Sequence, residues 1–147
     1  MNETATTSGI RQHAVLAWLR LARVFQKIDA RSAQFFRANG LSTAHFDVLA
    51  QVGAASGCSQ QELADALLVT KGNISQLLHR LEQEGLITRR AEGRTNCIYL
   101  SPRGHELYAQ VVPQQEALIA SLLAPLSDAE QRDLLRLLRK LDHGLAR

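Results

Sequence analysis

Two short helix signals a tight turn apart, followed at once by two β-prone runs around a basic turn, constrain this chain more than anything else in it. They occupy residues 59–104. Ser59 and Glu62 form the S-x-x-E pattern of a capping box, which opens a short helix through Leu67 with Leu63, Ala64 and Leu67 on one side. Thr70 is placed to cap a second helix over residues 70–84, in which Ile74, Leu77, Leu78 and Leu81 recur at helical spacing. Gly85 suits the left-handed position that ends such a helix. Residues 86–90 and 97–100 then read as strands, and the polar turn between them (91–96, with Gly93) makes the pair a hairpin.

The flanks are helical. Val15, Leu16, Leu19, Ala22, Val24 and Ile28 give residues 10–38 a helical period, stopped by Asn39-Gly40. Ser42 or Thr43 can cap a second helix carrying Phe46, Val48, Leu49 and Val52, which the run Gly53-Ala54-Ala55-Ser56-Gly57-Cys58 is expected to break. Ser101-Pro102 is a strong helix start, and Pro113 inside that helix is expected to bend it. Pro125 ends it. Ser127 and Glu130 then open a last helix with a leucine stripe, Leu134, Leu135, Leu137, Leu138, Leu141 and Leu145. The fold class is therefore mainly α with a small β-wing. One domain spans 1–147, with a winged helix-turn-helix at 42–101 and apolar end helices at 10–39 and 102–145. So small a winged unit cannot cover both end regions, so two copies are expected to pair them in a shared bundle.

Composition narrows the partners. The chain has 147 residues, 46% of them hydrophobic, and a formal charge of +3. Between residues 71 and 103, Lys71, Arg80, Arg89, Arg90, Arg94 and Arg103 face Glu82, Glu84 and Glu92, so this segment alone accounts for the net charge. A local basic excess of this kind fits a polyanionic partner. Two cysteines make no disulfide framework and point to a reducing compartment. The longest apolar run, 117–126, is interrupted by Ser121 and Pro125, which argues against a membrane span. No basic stretch precedes an apolar one at the start, so the expected location is cytoplasmic.

The second short helix begins Thr70-Lys71-Gly72-Asn73, then Ser75 and Gln76. Gly72 and Asn73 are weak helix formers, and a small residue there lets the backbone approach a surface closely. Asn and Gln can pair with adenine through two hydrogen bonds, while Ser and Lys reach base edges or phosphates. On a helical wheel Gly72, Asn73, Gln76, His79 and Arg80 face away from the apolar stripe. An ordinary solvent-exposed face has the same composition, and the hairpin decides between the two. It carries Arg89 and Arg90 on one strand, Arg94 in the turn and Thr95 after it. An arginine at a wing tip can enter a narrow minor groove, where negative potential is concentrated. Ser59 and Gln60, at the head of the preceding helix, complete the candidate double-stranded DNA contacts.

The run E-L-A-D-A-L-L-V-T-K-G-N-I-S-Q-L-L-H-R-L-E-Q-E-G-L-I-T-R-R, the wing arginine Arg94 and the closing Y-L-S-P-R-G resemble the MarR family of winged-helix transcriptional regulators. In outline the resemblance covers nearly the whole chain. It implies a homodimer on a near-palindromic operator, acting as a ligand-responsive repressor and needing no cofactor. The family's wing usually carries Asp-Arg-Arg where this chain has Gly93-Arg94-Thr95, so the Asp that normally braces the wing arginine is missing and the second arginine is replaced, with Arg89 or Arg90 as candidates to compensate. Many relatives bind small, often aromatic, anionic effectors between the dimer helices and the winged part. By position Arg11, His13, Trp18 and His45 are the candidates for such a cleft. Individually they also read as a solvated Arg11, a core Trp18 and a capped surface His45.

Two alternatives stay open. The winged part could dock a protein instead of DNA, or Cys58, read in a Gly-Ser loop, and Cys97, at the wing, could make the regulator thiol-responsive. Relatives that sense oxidants place a cysteine near the start of the first helix, where this chain has none. Five scattered histidines lack metal-ligand spacing, and no phosphate loop, nucleophile elbow or paired carboxylate suggests an enzyme.

Overall fold

Serine hydroxyls set where four helices of this chain begin. In the computed structural model, which describes residues 12–67 and 71–146 (the side chains of residues 71 and 72 excepted), Ser42 accepts the N–H of His45, Ser59 that of Glu62, Ser101 that of Gly104 and Ser127 that of Glu130. Glu130 returns the bond to the Ser127 N–H at 2.9 Å, completing the capping box read from the sequence. Each cap satisfies a donor that the first helical turn leaves without a partner. Arg11, Thr70 and the side chains of Lys71 and Gly72, all named above as candidate contacts, lie outside the described residues.

The described residues form α1 (His13–Ala38), α2 (Thr43–Ala55), β1 (Cys58–Ser59), α3 (Gln60–Leu67), α4 (Lys71–Gln83), β2 (Ile87–Glu92), β3 (Thr95–Leu100), α5 (Pro102–Leu123) and α6 (Asp128–Leu145). The strands make one antiparallel sheet in the order β1-β3-β2. Three sequence expectations need correction. Gly53, Ala54 and Ala55 remain in α2, and the break comes one turn later, at Ser56 (φ 53°) and Gly57 (φ 106°). Cys58 is not in a loop: it is buried in β1, opposite Ile98. The hairpin is also longer than expected. Glu92 pairs with Thr95, so the turn between the strands is Gly93-Arg94 alone, with Gly93 at φ 63°. A two-residue turn with a positive φ matches the right-handed twist of the strands it joins.

One core serves the winged part. Leu49, Leu63, Ile74, Leu78, Leu81, Ile87 and Ile98 are fully or almost fully buried, and the ends of two long helices join them. Phe36, near the end of α1, stacks on Phe46 of α2 with ring centroids 4.3 Å apart, and Val111 enters from the first half of α5. The start of α5 is tied down tightly. The Ser101 hydroxyl donates to Gly85 O at 2.5 Å, and a Cβ on Gly104 would lie 2.0 Å from Leu86 O. These first turns of α5 therefore belong to the winged core, while α1 before Ser32 and the whole of α6 bury no residue in it. No helix among the described residues is long and apolar enough to cross a membrane.

Candidate nucleic-acid interface

α4 turns one side inward and leaves the other open, as its 3.6-residue period requires. Ile74, Leu78 and Leu81 are completely buried and Leu77 partly so, while Asn73, Ser75, Gln76, His79 and Arg80 are exposed. Asn73, Gln76 and Arg80 share the wall of a groove of about 320 Å³ with Ala44 at the start of α2. Gly85 ends the helix as expected: at φ 76° it donates to Glu82 O, and Leu86 N–H reaches Leu81 O, both at 3.0 Å. That closure turns the chain directly into β2.

β2 leaves alongside α4. Arg89 Nε donates to Glu82 Oε2 at 3.2 Å, and Arg89 Nη1 reaches Gln60 Oε1 at 3.4 Å. Gln60 Nε2 in turn donates to Ser75 Oγ at 2.5 Å. Three residues read from the sequence as DNA contacts, Gln60, Ser75 and Arg89, are thus brought together and bonded to one another. Arg94 is five residues beyond Arg89, which at about 3.3 Å per strand residue carries the turn roughly 15 Å past that anchor. Arg94 and Thr95 are exposed there.

The opposite face of the hairpin carries its own brace. Register places Thr88 with Tyr99, Arg90 with Cys97 and Glu92 with Thr95, all on one side. The Arg90 guanidinium lies over the Tyr99 ring, 4.8 Å from its centroid, and the Tyr99 hydroxyl donates to Glu92 Oε1. The Glu92 carboxyl is held below its ordinary pKa, first by Tyr99, then by the Cys97 thiol and the Arg90 charge. Tyr99 is raised, first by the same bond and then by burial. Arg90 thus contacts the hairpin's outer face through Tyr99, which is bonded to Glu92, and sequence reasoning missed both of these residues. Tyr99 was findable: alternation along β3 sends Ile98 and Leu100 inward and Tyr99 outward. Glu82, also missed, gives no such signal, because its partner is chosen by the turn at Gly85.

Of the described residues suggested for an effector cleft, His13 and Trp18 do not meet His45 within one chain. His13 and Trp18 lie in the first turns of α1, roughly 27–35 Å along the helix axis from Phe36, which stacks on Phe46, the chain neighbour of His45. Trp18 is not core: it is 63% exposed. His45 is half-buried in the first turn of α2. Its Nδ1 lies 2.8 Å from Ser42 Oγ, and its buried Nε2 has no hydrogen-bond partner among the described residues.

The two thiols lie on neighbouring strands but on opposite faces, since Cys58 pairs with Ile98 and Cys97 with Ser59. Burial, followed by the Glu62 charge, pushes the Cys58 thiol up. Cys97 is raised by burial and then by its bond to Glu92. Both shifts favour the unreactive thiol over the thiolate.

Comparison with known proteins agrees with this geometry. The MarR family model matches residues 39–95. An HTH-type transcriptional regulator of Bacillus cereus is 37% identical over 127 residues, 86% of each chain. A cysteine-to-serine mutant of MarR from E. coli complexed with operator DNA superimposes with a TM-score of 0.74 at 25% identity, covering 87% of this chain and 94% of that one. BpsR of Bordetella bronchiseptica, solved to explain regulation of its DNA binding by 6-hydroxynicotinic acid, gives 0.73 at 26% identity, covering 89% and 94%. With its matched helix-turn-helix, its β-wing and a relative this similar over most of its length, the chain belongs to the MarR family of DNA-binding transcriptional regulators.

Proposed function

We propose that this protein works as a homodimer that represses transcription from a near-palindromic operator and is released by a small aromatic acid. The observation that carries the DNA part is the open side of α4 beside a hairpin whose tip is Arg94. Asn73 and Gln76, with Arg80, face a major groove. Arg94 reaches the flanking minor groove, where a narrow A·T-rich segment attracts a guanidinium. Thr70, Lys71 and Gly72 are further proposed contacts by their place in the sequence just before Asn73. Two-fold symmetry then sets the half-sites about one helical turn apart, roughly 10 bp centre to centre.

Self-association is supported by unspent apolar surface. Trp18 and Phe25 of α1 and Leu135, Leu137, Leu141 and Leu145 of α6 are exposed. The apolar groove between α1, α5 and α6, about 560 Å³ and lined by Leu21, Val24, Ile28, Leu122 and Leu134 among others, offers a second copy a seat. Pairing through these helices would also set the distance between the two α4 helices.

An effector would act on that distance. The unpartnered Nε2 of His45 offers a polar contact at the junction of winged core and end helices, and a second chain could bring His13, Trp18 and Arg11 towards it. A ligand that binds the DNA-incompetent spacing more tightly shifts the population that way. The test is selection of genomic fragments by the purified protein, then anisotropy on a recovered duplex with and without small aromatic acids. Arg94→Ala should weaken binding to every duplex and flatten the dependence on log salt by about one unit. Unchanged affinity would remove the wing from the mechanism, and release by no aromatic acid would remove the effector.

A further inference from the structure

Gln60 stands where three elements meet. Its amide nitrogen donates to Ser75 of α4 at 2.5 Å and its amide oxygen accepts from Arg89 of β2 at 3.4 Å, while Arg89 also donates to Glu82 of α4 at 3.2 Å. The two turns of α4 from Ser75 to Glu82 close these bonds into a ring. The ring joins the head of α3, one side of the reading helix and the root of the wing. Exposed pairs of this kind add little to fold stability, and Arg89 and Glu82 keep 29% and 42% of their side-chain surface. What the ring does fix is direction. Rotation of α4 about its axis, or swinging of the hairpin away from it, breaks at least one of the three bonds.

We propose that Gln60 and Glu82 are positioning residues that set the angle between α4 and the wing, so that helix and wing tip engage one duplex together. The proposal rests on the DNA-binding reading above. Glu82 gives it a test of sign. A carboxylate in the basic segment repels a polyanion, so electrostatics alone makes Glu82→Gln bind DNA more tightly, whereas loss of the Arg89 anchor makes it bind its operator more weakly.

The experiment uses full-length protein and labelled duplexes of about 30 bp, long enough for two half-sites a helical turn apart. One duplex is recovered by wild-type selection from genomic fragments and one has random sequence. Anisotropy from about 50 to 200 mM salt and thermal unfolding are measured for wild type, Glu82→Gln and Gln60→Ala. Both variants should lose about three- to tenfold on the selected duplex and melt with the wild type, while Glu82→Gln should hold the random duplex at least as tightly as the wild type does. In an Arg89→Ala background, Glu82→Gln should cause no further loss.

Several results would overturn the proposal. They are equal or tighter binding of the selected duplex by Glu82→Gln, full affinity for it in Gln60→Ala, a matching loss on both duplexes with a flatter salt slope (which makes Arg89 a plain phosphate contact), or a loss that tracks a fall in melting temperature. A wild-type protein that selects no fragment and binds neither duplex fails at an earlier step. That outcome overturns the DNA reading itself.

Discussion

α4 and α6 are both amphipathic helices, of 13 and 18 residues, yet they meet opposite fates. The inward stripe of α4 (Ile74, Leu78, Leu81) is sealed under α2, α3 and the sheet, while α6 buries none of its residues. The comparison separates two things that a hydrophobic stripe can mean. In α4 it completes a core that the same chain supplies, and its polar side is left open. In α6 the stripe itself is left open, so the chain carries a demand for burial that it does not meet alone. The proposed recognition surface and the proposed assembly surface are thus distinguished by which side of the helix the monomer covers.

Deleting the chain from Ser127 onward should have the largest effect: loss of the dimer by light scattering and, with it, of tight duplex binding. A stable dimer after that deletion would break the contrast. Next, Leu78→Ala should destabilise by about 3 kcal/mol in chemical denaturation at any protein concentration, as a cavity in a closed core does. Under the proposed dimer, Leu141→Ala should instead show a loss that grows on dilution, because its partner would be another chain. A concentration-independent loss at Leu141 would mean that the α6 stripe packs at home.

The glycines sharpen the same point. Gly104→Ala drives a Cβ to 2.0 Å from a backbone oxygen and should cost about 1–3 kcal/mol. Gly144→Ala in α6 meets nothing within 4 Å and should stabilise by about 0.5 kcal/mol. The caps should rank likewise. Ser101, which is buried and bonded to both Gly104 N–H and Gly85 O, should cost about 2 kcal/mol on replacement by alanine, and exposed Ser127 about 1 kcal/mol. Equal losses in melting experiments would erase the distinction between the two helix starts.

The smallest effect is one of pH. The Ser127 backbone and hydroxyl hold the Glu130 carboxyl below its ordinary 4.5. A carboxyl lowered on folding stabilises fully above its unfolded value, and the gain disappears as pH falls through the lowered one. The stability difference between wild type and Glu130→Gln should therefore be constant above pH 4.5 and shrink below it. A difference that stays flat through that range would mean that Glu130 is not bonded to the Ser127 N–H in solution.

Much of this was legible in the residues. Caps at Ser42, Ser59, Ser101 and Ser127, the stops at Gly40 and Gly85, and the inward stripe of α4 follow from bonds and periods that span a few residues, so local pattern is enough to find them. The outward side of α4 and Arg94 at the hairpin turn came with them. β1 did not, since two residues carry no period and Cys58 becomes strand only when Ile98 arrives opposite it. Neither did the two-residue wing turn, the Arg90–Tyr99–Glu92 brace, the Gln60–Arg89–Glu82 ring or the exposure of Trp18. Sequence by itself determined which segments are helical and which side of each is apolar. Tertiary structure alone decided register, the partners of the wing charges and which apolar sides stay uncovered, because each depends on groups far apart along the chain and close together in space.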